Sequence, residues 1–453
     1  MKPRPSAAQL TAILVSLGAY GLLAYATPRQ HFGALICLYS LAFGGYFWLL
    51  WRPLPLRYGL ALALAGRLLW LPALPALSDD YFRFRWDGTL VAAGHNPYLH
   101  RPDELVAAQP RANADTVPLG SLSAAATGQL YARLNSPHYY SVYPPVCQAL
   151  FGVASALASG SERGFVLVLR LLLLAAEAAT AALLLALLRR FGLPAQRALW
   201  YILNPLVIIE LTGNLHFEAV VICGILAAFW GLAHHYRALS AGALAGAVAT
   251  KFLPLLLLPL LIRRLGWRRF LHYGAVLALV LAALFAPFLS AALLHNLGAS
   301  LELYFHTFEF NASLYYLLRA GGYWLTGYNQ IARLGTALAA ATAVYALAVA
   351  AVENRPTLAT LPRALLFTLT GYFAFATTVH PWYLTTLVAL SVFTRYRYVL
   401  VWSALIPLSY ATYQTAAYTE NLWLTGLEYG LVAAVLLWEL RRPTARLALP
   451  TQP

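Results

Sequence analysis

The chain has 453 residues, of which 61% are hydrophobic and only 10% charged, with a formal net charge of +15. A soluble domain carries about a quarter charged residues, so water is not the main solvent of this fold. The arginines stand in short clusters between apolar runs and form no basic domain, which argues against a nucleic-acid partner and marks them as topology signals.

Apolar runs of roughly 16–26 residues recur along the chain, near the ~20 needed for a helix to cross a bilayer. Only helices and closed barrels satisfy their backbone in lipid. Leu/Ala-rich runs such as Val166 to Leu188 lack the alternation of a barrel strand, so an all-α, polytopic helical bundle is expected.

Lys2 and Arg4 place the N-terminus in the cytoplasm. The first run, closing on Ala24-Tyr25-Ala26, resembles a signal peptide, but a second begins a few residues later, so an uncleaved anchor is expected. Segments 10–26 and 32–51 then form a hairpin returning to Arg52 and Arg57. A third span, 57–77, leads outward and ends on the acidic pair Ser78-Asp79-Asp80-Tyr81. Residues 78–164 are rich in Pro, Asn, Ser and charge and form the largest outer loop, with 143–158 as a short interfacial helix.

Segment 165–190 ends on the cytoplasmic pair Arg189-Arg190, 197–212 goes out, 213–218 turns, and 217–236 returns to Arg237. Residues 238–264 end on Arg263, Arg264, Arg268 and Arg269, so two short helices meeting near Lys251 fit better than one span. Segment 270–289 leads to a second outer region, 290–330, and later spans are expected near 331–352, 363–379, 382–394, 398–416 and 420–440. The sum is about 12–14 spans with both ends inside. Cys37, Cys147 and Cys223 lack a metal-like spacing and read as packing residues.

Polar clusters converge on the outer side: Asp79-Asp80, Trp86-Asp87, Asn96 to Tyr98, Tyr143, Asn214 to Glu218, His306 to Asn311 and His380 to Tyr383. A site is therefore expected there. At the C-terminal end of a span the acidic pair opposes the helix dipole, an unfavourable placement that suggests a functional reason. A carboxylate at that boundary could serve as a general base, with Arg83 and Arg85 near in sequence as compensating cations. Within the bilayer Arg67, Glu177 and Glu210 are costly, and an Arg67–Glu177 ion pair is the simplest accommodation. Lys251 could bind a lipid phosphate or cap the helix break. His216 and His380 could meet a phosphate, a metal or a hydrogen-bond partner, though no third spaced ligand supports zinc.

The ordered set Ser78-Asp79-Asp80-Tyr81-Phe82-Arg83-Phe84-Arg85-Trp86-Asp87-Gly88, Gly94-His95-Asn96-Pro97-Tyr98, Tyr143-Pro144-Pro145, Asn204-Pro205, Gly213 to Glu218, Thr250 to Pro254, Phe310-Asn311 and His380 to Leu384 resembles the GT-C integral-membrane glycosyltransferases. The nearest group resembles bacterial mannosyltransferase-like members that use a polyprenyl-phosphate sugar. The resemblance implies a hexose, mannose by family default, moved from a polyprenyl-phosphate donor to a glycolipid, polysaccharide or protein hydroxyl. Asp79 is implied as the general base, with Asp80 the neighbouring alternative, in an inverting displacement. Arg83, Arg85, Lys251, Arg319 and His380 are candidates for the leaving phosphate. Trp86, Asp87, Asn96, Tyr98, Tyr143, Asn214, His216, Glu218, Asn311 and Trp382 complete the expected substrate-binding set. The second outer loop, which helps bind a divalent metal in some relatives, lacks an Asp pair here, so no cofactor is expected. The division expected is an N-terminal hairpin (1–56), a catalytic module (57–330, with outer loops 78–164 and 290–330) and C-terminal helices (331–453), in a bacterial inner membrane with its site outside. A secondary transporter or a lipid or polysaccharide flippase is the competing reading. Transport calls for mid-membrane charges and paired broken helices, against the observed bias to one face.

Overall fold

The computed structural model describes residues 5–52, 54–107, 119, 122–415 and 417–442. The described chain is helical, without a strand among the described residues; two isolated bridges, Leu119–Leu122 and Phe310–Thr378, are the exceptions.

Helix α1 (Ala7–Tyr25) opens with a capping box: Ser6 Oγ accepts from the Gln9 amide, and the Gln9 side chain accepts from the Ser6 amide. It pairs with α2 (Phe32–Trp51), which approaches it closely at Gly45, beside Ser16 and the Ala12 carbonyl. These two helices are the expected hairpin.

The third apolar segment departs from expectation. Helix α3 (Leu56–Leu68) stops well before residue 77, and Pro72 and Pro75 follow it. Proline has no amide hydrogen to continue the ladder, so carbonyls are left without helical partners. Arg170, fully buried in the helix Glu162–Arg190, collects them: its guanidinium donates to the carbonyls of Leu71 (2.9 Å) and Ala73 (2.6 Å). It also donates to Thr212 (2.8 Å) and Gly213 (3.0 Å), at the second irregular stretch.

The acidic pair consequently opens a new helix, α4 (Asp80–Ala92), with Asp79 at its N-cap. Its dipole favours negative charge there, so the unfavourable placement expected from the sequence is reversed. Helix α4 is buried from Tyr81 to Leu90 and packs on Pro145–Ala158. At their crossing Gly88 lies so near the Phe151 carbonyl and Ser155 Oγ that a side chain would not fit, and Phe84 stacks on Phe151 at 4.7 Å.

Pro205–Gly213 and Glu218–Ala233 meet at a 113° bend, with a π-helical turn at Ile208–Gly213 and Leu215 left-handed at φ 64°. This bend is the turn expected at 213–218. Lys251 occupies the break between Arg237–Val248 and Leu258–Leu265, two short helices as expected. Residues 290–330, expected on the outer side, fold as Leu293–His306 and Leu314–Thr326, and Ile331–Val352, Leu361–Phe375, Leu384–Ser391, Tyr398–Leu405 and Leu422–Arg441 follow.

Among the described residues six helices are long and apolar enough to cross a membrane, or seven with the bent pair, against the 12–14 spans expected. Breaks at proline and at irregular turns explain the difference: expected spans such as 57–77, 363–379 and 398–416 are realised as the shorter helices Leu56–Leu68, Leu361–Phe375 and Tyr398–Leu405. One apolar core joins residues from α1 to Leu422–Arg441.

Candidate active site

Asp79 and Asp80 share a backbone position at the start of α4 but not an environment. The Asp79 carboxylate is 38% exposed and its Oδ2 accepts from Arg29, in the turn between α1 and α2. Two hollows meet at this residue. One, about 300 Å³, is lined by Pro75, Tyr81, Phe82 and Arg133; the other, about 410 Å³, includes Thr27, Arg29 and Gln30. Asp80 accepts from Asn135 Nδ2 at 3.0 Å. Burial pushes its carboxyl up from the usual range; His216 and the Asn135 bond oppose that, while Asp79 and Glu218 add to it.

A second cluster acts on Asp80 through His216. Phe310, His380, Trp382 and His216 form a continuous stack, with ring centroids 4.7, 4.4 and 3.7 Å apart in that order. A short bridge holds Phe310 in place, its amide donating to the Thr377 carbonyl and its carbonyl accepting from the Val379 amide. Burial, then His216 and Lys251, push the His380 imidazole down to about 3. Its Nδ1 and the Nε2 of His216 are both buried without a hydrogen-bond partner. The nearest acid to His216 is Glu210, at 3.5 Å. Lys251 Nζ pairs with Glu218 and lies 3.6 Å from the centroid of the Tyr383 ring. Two buried ring nitrogens and the Lys251 ammonium thus belong to one cluster, which reaches Asp80 through His216, and polar groups fixed in such a site can stabilise developing negative charge.

Other expected site residues hold the frame. Arg83 binds Asp87 (2.8 Å) and the carbonyls of Ser136 and Tyr139; Asp87 also accepts from Ser141 and Gln148. Arg85 donates to the Gly160 carbonyl and faces Glu162 at 3.7 Å. Trp86 is buried in the core. Asn96 donates to the Phe288 carbonyl, and Tyr98 to that of Tyr143. Asn214 donates to Glu210 and accepts from the Leu77 amide, tying the bend to the residues before the acidic pair. Asn311, left-handed at φ 46°, donates through Nδ2 to Glu428 and through its amide to Glu420. Arg319 pairs with Glu309. These bonds engage Arg83, Arg85 and Arg319 with protein groups, and none of the three lines either hollow.

Sequence reasoning missed Arg29, Arg133 and Asn135. Arg29 had a signal: it is a cation in a turn assigned to the outer side, where the positive-inside pattern disfavours it. Arg133 and Asn135 sit in the irregular part of the first outer loop, where no period marks a side chain's direction.

The expected Arg67–Glu177 pair is present at 2.6 Å. Glu210 accepts from Tyr39 (3.0 Å), Tyr410 (2.6 Å) and Asn214, so this buried carboxylate is satisfied by neutral donors. Among the described residues no group of three or more His, Cys, Asp or Glu is arranged to hold a metal ion.

A family model described as alpha-(1->6)-mannopyranosyltransferase, N-terminal domain, matches residues 20–265, just over half of the chain. A search of curated proteins finds no match. The matched region begins within α1 and includes Arg29, the acidic pair, the bend and Lys251.

Proposed function

The chain belongs to the alpha-(1->6)-mannopyranosyltransferase family, and on that premise we propose that it moves mannose from a polyprenyl-phosphate donor to an acceptor hydroxyl on the extracytoplasmic face. It is a glycosyltransferase of a membrane-embedded, all-α type. The observation that carries the reading is Asp79, an accessible carboxylate at the meeting of two hollows.

Asp79 takes the proton of the acceptor hydroxyl as that oxygen attacks the anomeric carbon. The bond from the anomeric carbon to the phosphate oxygen breaks, and polyprenyl phosphate leaves with the electron pair. A single base with no covalent nucleophile gives inversion, unlike the paired carboxylates of a retaining hydrolase. Lys251, His216 and His380 are the groups proposed to receive the leaving phosphate, because His216 acts on Asp80, His380 joins His216 through the Trp382 ring, and Lys251 acts on His380. A phosphate there competes with Glu218 for Lys251. Asp80 has the raised carboxyl and acts as the neighbouring alternative base.

If the new bond is α-(1→6), as the family description states, inversion requires a β-linked donor. Purified protein given polyprenyl-phosphate β-mannose and a mannoside acceptor should form an α-linked product, read by NMR of the anomeric proton. The α-anomer of the donor should be inert. Transfer with retained configuration would overturn the displacement, and solute movement in liposomes without sugar transfer would favour a transporter.

A further inference from the structure

The α1–α2 hairpin carries a charge that enters the site. Arg29 lies 50 positions from Asp79 in sequence, yet its guanidinium reaches Asp79 Oδ2. The turn that bears it is fixed: Thr27 Oγ1 donates to the Leu22 carbonyl at 2.9 Å, and the His31 amide donates to the Pro28 carbonyl at 3.0 Å. The guanidinium also lies 5.0 Å from the centroid of the Tyr413 ring, which confines it from the opposite end of the chain. Tyr413 in turn neighbours Phe310, the first ring of the Phe310–His380–Trp382–His216 stack, at 5.9 Å. Arg29 itself is only 14% exposed.

Stability alone does not account for this arrangement. An ion pair with one partner more than a third exposed contributes little to folding. Holding Asp79 does have a chemical consequence. A carboxylate that is to take a proton must present one oxygen in a fixed direction, and a small misplacement lowers the rate steeply. With Oδ2 engaged by Arg29, the other oxygen remains for the acceptor hydroxyl.

We infer that Arg29 is a positioning residue for Asp79, so that the N-terminal hairpin is part of the catalytic apparatus. The inference rests on the reading of Asp79 as the base. Arg29 acts on the transition state through Asp79 and does not bind the donor, which separates it from the cations proposed for the leaving phosphate.

The test uses full-length protein in detergent with polyprenyl-phosphate mannose, comparing wild type, Arg29→Gln, Arg29→Lys and Asp79→Asn for kcat, donor KM and thermal midpoint. Arg29→Gln should lower kcat roughly tenfold to a hundredfold with KM within about twofold. Its thermal midpoint should match wild type, and Arg29→Lys should recover most of the rate. Three results would overturn the inference: unchanged kcat in Arg29→Gln, a raised donor KM with unchanged kcat, or a lowered midpoint with no recovery by lysine. Full activity of Asp79→Asn would overturn the base assignment and the inference with it. An inactive Asp79→Asn beside a fully active Arg29→Gln removes the inference alone.

Discussion

Two carboxylates one residue apart are held in opposite ways. Asp79 meets a cation and solvent, whereas Asp80 meets burial, Asn135 and a neighbouring imidazole. A carboxyl whose folded-state value is raised stabilises the fold only while protonated. That contribution is complete below the unfolded value near ~3.9 and is lost as pH rises through the raised value. Asp80→Asn cannot ionise and still accepts from Asn135, so its thermal midpoint should exceed that of wild type at neutral pH. The gap should close toward pH ~4. Equal midpoints at neutral pH, or a lower one for the variant, would contradict the burial assigned to Asp80. At this scale the sequence made the acidic pair, Lys251, His216, His380 and Trp382 visible, because each is polar or aromatic at the edge of an apolar run. It could not show that Arg83, Arg85 and Arg319 are engaged by protein groups, since their partners are carbonyls and acids remote in sequence or fixed by loop geometry.

The elements that shape the site are interrupted helices. The early end of α3, the bend after Gly213 and the break at Lys251 each leave backbone groups that side chains must satisfy. Arg170 and Arg67 do this by different means: Arg170 binds four carbonyls, while Arg67 binds Glu177 and the carbonyls of Ala63 and Ile202. Glu177 also accepts from Thr212 Oγ1 at 2.8 Å, so the pair braces the π turn that precedes the bend. Removing one partner of a buried pair strands the other, at a cost of about 3–5 kcal/mol, whereas replacing both with apolar groups is milder. Arg67→Leu should therefore lower the thermal midpoint more than the double variant Arg67→Leu/Glu177→Leu. A double variant less stable than the single one would show that the pair adds more than it costs to bury. The hairpin and the spans 165–190 and 331–352 were legible because long apolar runs with polar ends admit few other structures. The end of α3 was not, because Pro72 and Pro75 sit inside a run that hydropathy alone treats as continuous.

Over the whole molecule, contacts between loops fall into two groups. Arg29 reaches Asp79, Asn96 reaches Phe288, Asn296 reaches Tyr98, and Phe310 pairs with Thr378, all among turns assigned to the outer side. Arg264 pairs with Glu353, Arg197 donates to Thr394, and Arg395 to the Arg442 carbonyl, all among turns assigned inside. Charge placement alone made this segregation readable. The number of crossings was less so, since a broken helix and a full span share the same composition. With the polar clusters assigned to one face, the central claim is that Asp79 there takes the proton during mannosyl transfer. The direct measurement is transfer from polyprenyl-phosphate mannose by purified wild type, Asp79→Asn and Asp80→Asn, with folding checked by thermal midpoint. Asp79→Asn should lose roughly a hundredfold or more of kcat while remaining folded. Transfer by folded Asp79→Asn at the wild-type rate would contradict it.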